Sequence, residues 1–249
     1  MLIPMTTPLA LIFLVMLVLW LATFLRSAVG FGDALLAMPL IALLVGMQVA
    51  TPLVAWTGLA TSVLILSTSW RQVDLRTFWR LTLASLVGMP FGIWLLQHGD
   101  ERIVSLLLGL LLMGYGAYSL YRPTLPALAS ERWAFPFGFV AGVLGSAYNT
   151  SGPPVIIYGT MRRWPPDLFR ATLQGFFLVS NVIVIAGHGL AGLWTQEVLL
   201  LTLLSLPVLV TAVIAGARVN RRIPAAQFAR VVYMLLIILG AIFILPLWL

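Results

Sequence analysis

The chain has 249 residues, 61% of them hydrophobic and 8% charged, with no cysteine and a formal net charge of +7. That composition lies far outside the soluble globular range, and the lack of cysteine excludes disulfides, thiolate metal sites and covalent cysteine chemistry. Every cationic side chain is an arginine, and these sit in scattered short loops and not along one basic face, so nucleic acid is excluded as the partner.

In chain order, the first apolar run is 9–25. No positive charge precedes it and no small-residue cleavage pattern follows, so it reads as a retained helix and not a removable signal. Residues 26–39, RSAVGFGDALLAMP, are apolar but broken by glycine, and carry Arg26 and Asp33. Three long apolar runs follow at 49–68, 78–97 and 103–121, and three more at 168–186, 198–217 and 231–248. Each approaches the roughly 20 residues that cross hydrocarbon as helix. Seven spans are thus predicted, and without strand alternation a barrel is excluded. The fold class is an all-α integral membrane protein.

Loop charge orients the spans. Arg71, Arg76 and Arg80, then Arg162, Arg163 and Arg170, then Arg218, Arg221, Arg222 and Arg230 mark cytoplasmic loops, while the loops at 97–102 and 188–197 belong to the opposite face. Residues 123–132 form a cytoplasmic linker, so 133–161 begins and ends on one side. It is too short for two full crossings. The stretch reads as a broken, re-entrant helix pair with AYNTSGPP at its tip, where Pro153 and Pro154 interrupt the helix.

The 26–39 stretch is the counterpart of this tip. With Gly30 over Gly145, Pro39 falls over Pro154, and Pro39 is predicted to break its helix in the same way. Three long spans follow each broken pair, with Thr61 and Ser62 opposite Ser180 and Asn181. Residues 1–122 and 133–249 therefore read as two repeats. Loop charge runs their first long spans in opposite directions, which makes the repeats inverted, as in secondary carriers that alternate access around a midplane site.

The run G-F-G-D-A-L-L-A-M-P at 30–39, with glycines at 138, 142 and 145 and N-T-S-G-P-P-V-x-x-Y at 149–158, resembles the TauE/SafE family of sulfite and organosulfonate exporters. The resemblance covers nearly the whole chain. It implies an inner-membrane permease of two related halves that exports sulfite or an organosulfonate such as sulfoacetate, without cofactor or enzymatic activity. Many members carry glycine where this chain has Asp33.

The residues themselves point to an anion. Gly30, Gly32, Gly145 and Gly152 allow close backbone approach, and the amides that open a half-helix are unpaired and favour negative charge. Asn149, Thr150 and Ser151 add neutral donors suited to a small oxyanion. The plainer alternative is close helix packing through small residues. Arg26 supplies positive charge and Asp33 exchanges a proton; alternatively Arg26 snorkels to the interface and Asp33 caps the helix beginning at Ala34. On a continuous helix the two would lie about 10 Å apart along the axis, so a direct pair needs a break at Gly30.

Gln174 and Asn181 are further candidates for substrate contact, since a buried amide needs partners, and Tyr148 and Tyr158 flank the tip as gate or packing. Thr57, Thr61, Ser62 and Ser180 either line the cavity or bond their own helical turn. His98 and His188 are expected to be exposed at span ends. There is no metal-spaced histidine pair, no Gly-x-Ser-x-Gly and no close pair of acids in the apolar regions, which argues against an enzyme. The expectation is a proton-coupled exporter of a small anion, in contact with membrane lipid. The competing readings are an anion channel, an uptake carrier for another small ion, or a scaffold subunit that transports nothing.

Overall fold

In hydrocarbon the backbone has no solvent partner, so apolar runs of this length close their hydrogen bonds internally as helix. A computed structural model describes residues 9–29, 32–66, 75–121, 125–220 and 225–245. Gly30, Arg71, Arg122, Arg221 and Arg222 lie outside the described residues, as do the side chains of Arg76, Arg170 and Arg230.

The elements are α1 (Leu9–Val29), α2 (Asp33–Val45), α3 (Met47–Leu66), α4 (Leu75–His98), α5 (Glu101–Tyr121), α6 (Ala134–Tyr148), α7 (Gly152–Met161), α8 (Pro166–Leu190), α9 (Gln196–Asn220) and α10 (Ala225–Ile244), with one 3₁₀ turn at Glu131–Trp133. No strand occurs among the described residues. Segments of α1, α3, α4, α5, α8 and α9, six in all, are long and apolar enough to cross a membrane. The seventh predicted span, 231–248, runs past the described residues, and its described apolar part, Tyr233–Ile244, is shorter. Large side chains such as Phe13, Val87, Phe91, Trp94 and Ile238 point outward. Such a surface suits lipid and not water.

Helix ends follow local chemistry. Gly32 (φ 99°) precedes α2, Gly46 (φ 78°) closes it, and Asn149 (φ 52°) closes α6. All three have positive φ, which glycine adopts freely, and Gly32 and Asn149 lie in the left-handed region that asparagine also tolerates. Pro39 behaves differently from its predicted role. It lies inside α2, as Pro52, Pro90 and Pro207 lie inside α3, α4 and α9. A proline removes one amide donor, a loss that neighbouring groups can compensate in buried membrane helices; the helix boundary lies upstream, between Val29 and Asp33. Pro153 and Pro154 instead fall in the first turn of α7, where helical amides have no partner to lose.

Small residues bring two helix pairs into backbone contact in parallel. A Cβ at Gly138 would meet Leu81 and Ala84, one at Gly142 would meet Ser85, and the Ser146 hydroxyl donates to the Met89 carbonyl at 2.8 Å, which sets α6 alongside α4. In the same manner Gly216 of α9 abuts Phe24 and Ser27 of α1, and the Ser27 hydroxyl donates to the Val213 carbonyl at 2.8 Å. Two other pairs run antiparallel. Gly109 meets Gly240 and Gly116 meets Tyr233 between α5 and α10, while Gly58 faces Asn181 between α3 and α8. Close approach through small residues is how apolar helices associate without a hydrophobic driving force.

Loops cluster at two ends. At one, Glu131 pairs with Arg80 and lies 3.9 Å from Arg162, the Leu128 amide donates to the Met161 carbonyl at 2.9 Å, and Arg163 donates to the Leu125 carbonyl at 2.9 Å. The start of α6 and the end of α7 therefore share this end with the 125–130 segment. At the other, Gln97 donates to the Ala191 carbonyl at 2.8 Å. His98 is exposed there, stacked on Trp94.

His188 corrects its predicted exposure: it is fully buried, with Nε2 2.9 Å from the Ser146 carbonyl. The cause is its flanking glycines. Gly187 lets Ile93 close in and Gly189 lets Trp194 fold over the helix end, so the imidazole is enclosed where larger neighbours would have held the helices apart.

Candidate functional site

Arg26 stands near the end of α1 with 2% of its side chain exposed. A buried guanidinium is tolerated only with partners, and this one has four. Nη1 donates to Asp33 Oδ2 at 2.8 Å and to the Gly58 carbonyl at 3.3 Å; Nη2 donates to Ser62 Oγ and to Gln174 Oε1, both at 2.7 Å. The Phe177 ring lies 5.2 Å from the guanidinium carbon, within cation–π range. Nε has no partner. Arg26 is thus an internal anchor, not a snorkelling residue, because α3 and α8 enclose it.

Asp33 corrects a second expectation. The helix starts at Asp33 itself with Gly32 in the cap position, so the carboxylate is not the cap of a helix beginning at Ala34; it is committed to Arg26. Arg26 and Asp33 belong to separate helices, α1 ending at Val29 and α2 starting at Asp33, so the axial separation of one straight helix does not keep them apart. The negative charge in the first turn of α2 still suits the helix dipole.

Around this pair lies a cavity of about 30 Å³, lined by Gly32, Asp33, Ala34, Leu35 and Arg26 from the first half, and by Asn149, Thr150, Ser151, Gly152, Phe177 and Asn181 from the second, with Gly58 and Ile156 completing it. That is room for about one water-sized group. The floor is shaped by the end of α6. Asn149 turns left-handed, and the Asn149 and Thr150 amides both return to the Leu144 carbonyl, which aims the Asn149, Thr150 and Ser151 side-chain segment into the space where α2 and α7 begin. The start of α2 contributes free first-turn amides. In α7, Pro153 and Pro154 have none, so of its first three residues only Gly152 has an amide to offer.

Of the predicted site residues, Arg26, Gly32, Asp33, Asn149, Thr150, Ser151, Gly152 and Asn181 line this one cavity, and Gln174 holds Arg26 from behind. Gly30 lies outside the described residues. Tyr148 is buried elsewhere, its hydroxyl donating to the Val104 carbonyl of α5 at 3.0 Å. Thr57 and Thr61 bond carbonyls of their own helix at 3.2 and 2.8 Å, whereas Ser62 does so and also accepts from Arg26.

Gly58 and Phe177 are missing from the predicted set. Phe177 carries a readable signal, since Gln174, Phe177 and Asn181 share one face of α8 at helical spacing. Gly58 has a weaker one, as a glycine inside an apolar span commonly marks a close contact.

The family model described as "Sulfite exporter TauE/SafE" matches residues 15–243. The chain is similar to the protein named "Probable sulfite/organosulfonate exporter TauE" of Cupriavidus necator, 25% identical over 230 residues that cover 90% of each chain. It is also similar to the "Probable inner membrane transporter protein TsaS" of Comamonas testosteroni, 30% identical over 182 residues that cover 72% of this chain and 76% of that one. No solved structure matches it.

Proposed function

The chain belongs to the TauE/SafE sulfite exporter family and is a membrane transporter, not an enzyme; from that premise we propose that it exports a small oxyanion, sulfite or an organosulfonate, across the inner membrane in a proton-coupled cycle. The observation that carries this reading is a buried arginine of the first half set beside neutral side-chain donors of the second, Asn149, Thr150, Ser151 and Asn181. A cation in an apolar bundle is costly and marks an ion pathway by default. Asn149, Thr150 and Ser151 would orient the oxyanion oxygens, and Arg26 would neutralise its charge.

The helix pairings support two inverted repeats, 1–122 and 133–249, joined by a cytoplasmic linker at 123–132. Exchanging the halves maps the α1–α9 contact onto α6–α4, and maps α3–α8 and α5–α10 onto themselves. In this reading the tips at Gly32 and at Asn149 to Gly152 face one site near the bilayer midplane, and rocking of the halves exposes it alternately to each side. Loop arginines put the Glu131 end in the cytoplasm. The test is efflux of sulfite and of simple sulfonates from liposomes carrying the purified protein. Arg26-dependent efflux is expected; absence of flux for every oxyanion tried would reject the reading. In the Asp33→Asn variant, coupling to protons should fail more than binding does.

A further inference from the structure

Arg26 and Asp33 are the two charged side chains among the described residues that line the cavity; every other lining residue, from Gly32 and α2, α3, the 149–151 segment, α7 and α8, is neutral. The carboxylate therefore stands where an incoming oxyanion must stand. Of the guanidinium donors, Nη1 and Nη2 are taken by Asp33, Gly58, Ser62 and Gln174, and Nε alone is left. The contacts to Gly58, Ser62 and Gln174 hold the arginine in place. Asp33, at 14% exposure and at a helix start, is the partner that can leave.

We infer that Asp33 is the resident occupant of the anion site: substrate displaces its carboxylate from Arg26, and Asp33 takes up one proton from solvent as it lets go, so that proton and anion bind together. This rests on reading the cavity as an oxyanion site. The charges then balance. The empty site is neutral as the closed pair, and the loaded site is neutral as Arg26 with a monoanion beside a protonated Asp33. A dianion, or a monoanion without the proton, leaves an uncompensated buried negative charge, which is expensive. The site therefore selects monoanions, such as hydrogensulfite or a monosulfonate, over sulfate, sulfite dianion or disulfonates. Proton and anion move in the same direction, and export runs down the substrate's own gradient.

The probe is methanesulfonate, a monoanion whose own charge does not titrate, added to the full-length protein in detergent. Its affinity should fall as pH rises, by up to about tenfold per unit, and a weakly buffered protein solution should turn more alkaline by up to about one proton per site. Asp33→Asn should bind the probe more tightly than wild type at alkaline pH, with a flat pH profile, and sulfate and ethanedisulfonate should bind more weakly than methanesulfonate. If methanesulfonate binds wild type without proton uptake and binds Asp33→Asn no more tightly, the displacement fails while the anion site stands. If sulfate binds as tightly as methanesulfonate, charge selection fails. Should no oxyanion bind either protein, the anion reading itself falls. Proton uptake by wild type decides the question even if Asp33→Asn does not fold.

Discussion

Arg26 on α1 and Asp33 at the head of α2 meet at 2.8 Å across the break between their helices, with the arginine side chain 2% exposed. Taking away one member leaves the other buried and unpaired, which costs roughly 3–5 kcal/mol. Arg26→Met should therefore lower unfolding stability in detergent by about that amount and abolish flux. Replacing both, as Arg26→Met with Asp33→Leu, should recover much of the stability and none of the transport. A double variant as unstable as the single one would show that the pair is not held by charge balance.

Gly58 separates stability from binding. A Cβ there would lie 3.0 Å from Asn181 Nδ2 and 3.7 Å from Asn149 Nδ2, at the wall of the cavity. Alanine is the better helix former by up to about 1 kcal/mol. Gly58→Ala should thus leave the melting temperature unchanged or slightly raised, while oxyanion affinity drops about tenfold or more, a loss of roughly 1.4 kcal/mol. Unaltered affinity in a thermal-shift titration would remove this face of α3 from the site.

Such a residue shows where sequence patterning stops. Apolar run length foretells the long helices, because it depends on local chemistry and solvent. N-T-S-G-P-P marks the end of α6 for the same reason: asparagine accepts the left-handed turn and prolines suit a first helical turn. Which face of a helix turns inward depends on its neighbour. Gly58 and Phe177 matter only because α3 meets α8 over Arg26, His188 is buried only because Trp194 closes over Gly189, and the Tyr148 hydroxyl leaves the cavity because α5 offers the Val104 carbonyl. Pro39 looks like a break in sequence and is not: α2 runs through it, as α3, α4 and α9 run through Pro52, Pro90 and Pro207.

The parallel contact of α4 with α6 should depend on the glycine at 142. A Cβ at Gly142 would run into the Ser85 backbone, with its Cα and carbonyl carbon at 2.7 Å. No rotamer change relieves a backbone clash, so Gly142→Ala should destabilise by about 1–3 kcal/mol, read as a lower thermal midpoint in detergent. Gly114→Ala is the control. A Cβ there meets nothing within 4 Å, and the midpoint should hold or rise.

Asn149 carries two roles that one substitution can divide. Its backbone is left-handed, φ 52° and ψ 24°, where α6 ends, a conformation that costs most residues roughly 1–2 kcal/mol and glycine nothing comparable. Its side chain lines the cavity beside Arg26. Asn149→Gly keeps the turn and removes only the amide, so it should fold with near wild-type stability and bind oxyanions weakly. Asn149→Ala removes the amide and also strains the turn, so it should lose binding together with about 1 kcal/mol of stability. Both are read in one thermal-shift titration, the unliganded midpoint reporting the turn and its displacement by methanesulfonate reporting the site. If Asn149→Gly binds as wild type does, the asparagine is there for the turn alone, and ligand orientation must come from Ser151 and Asn181.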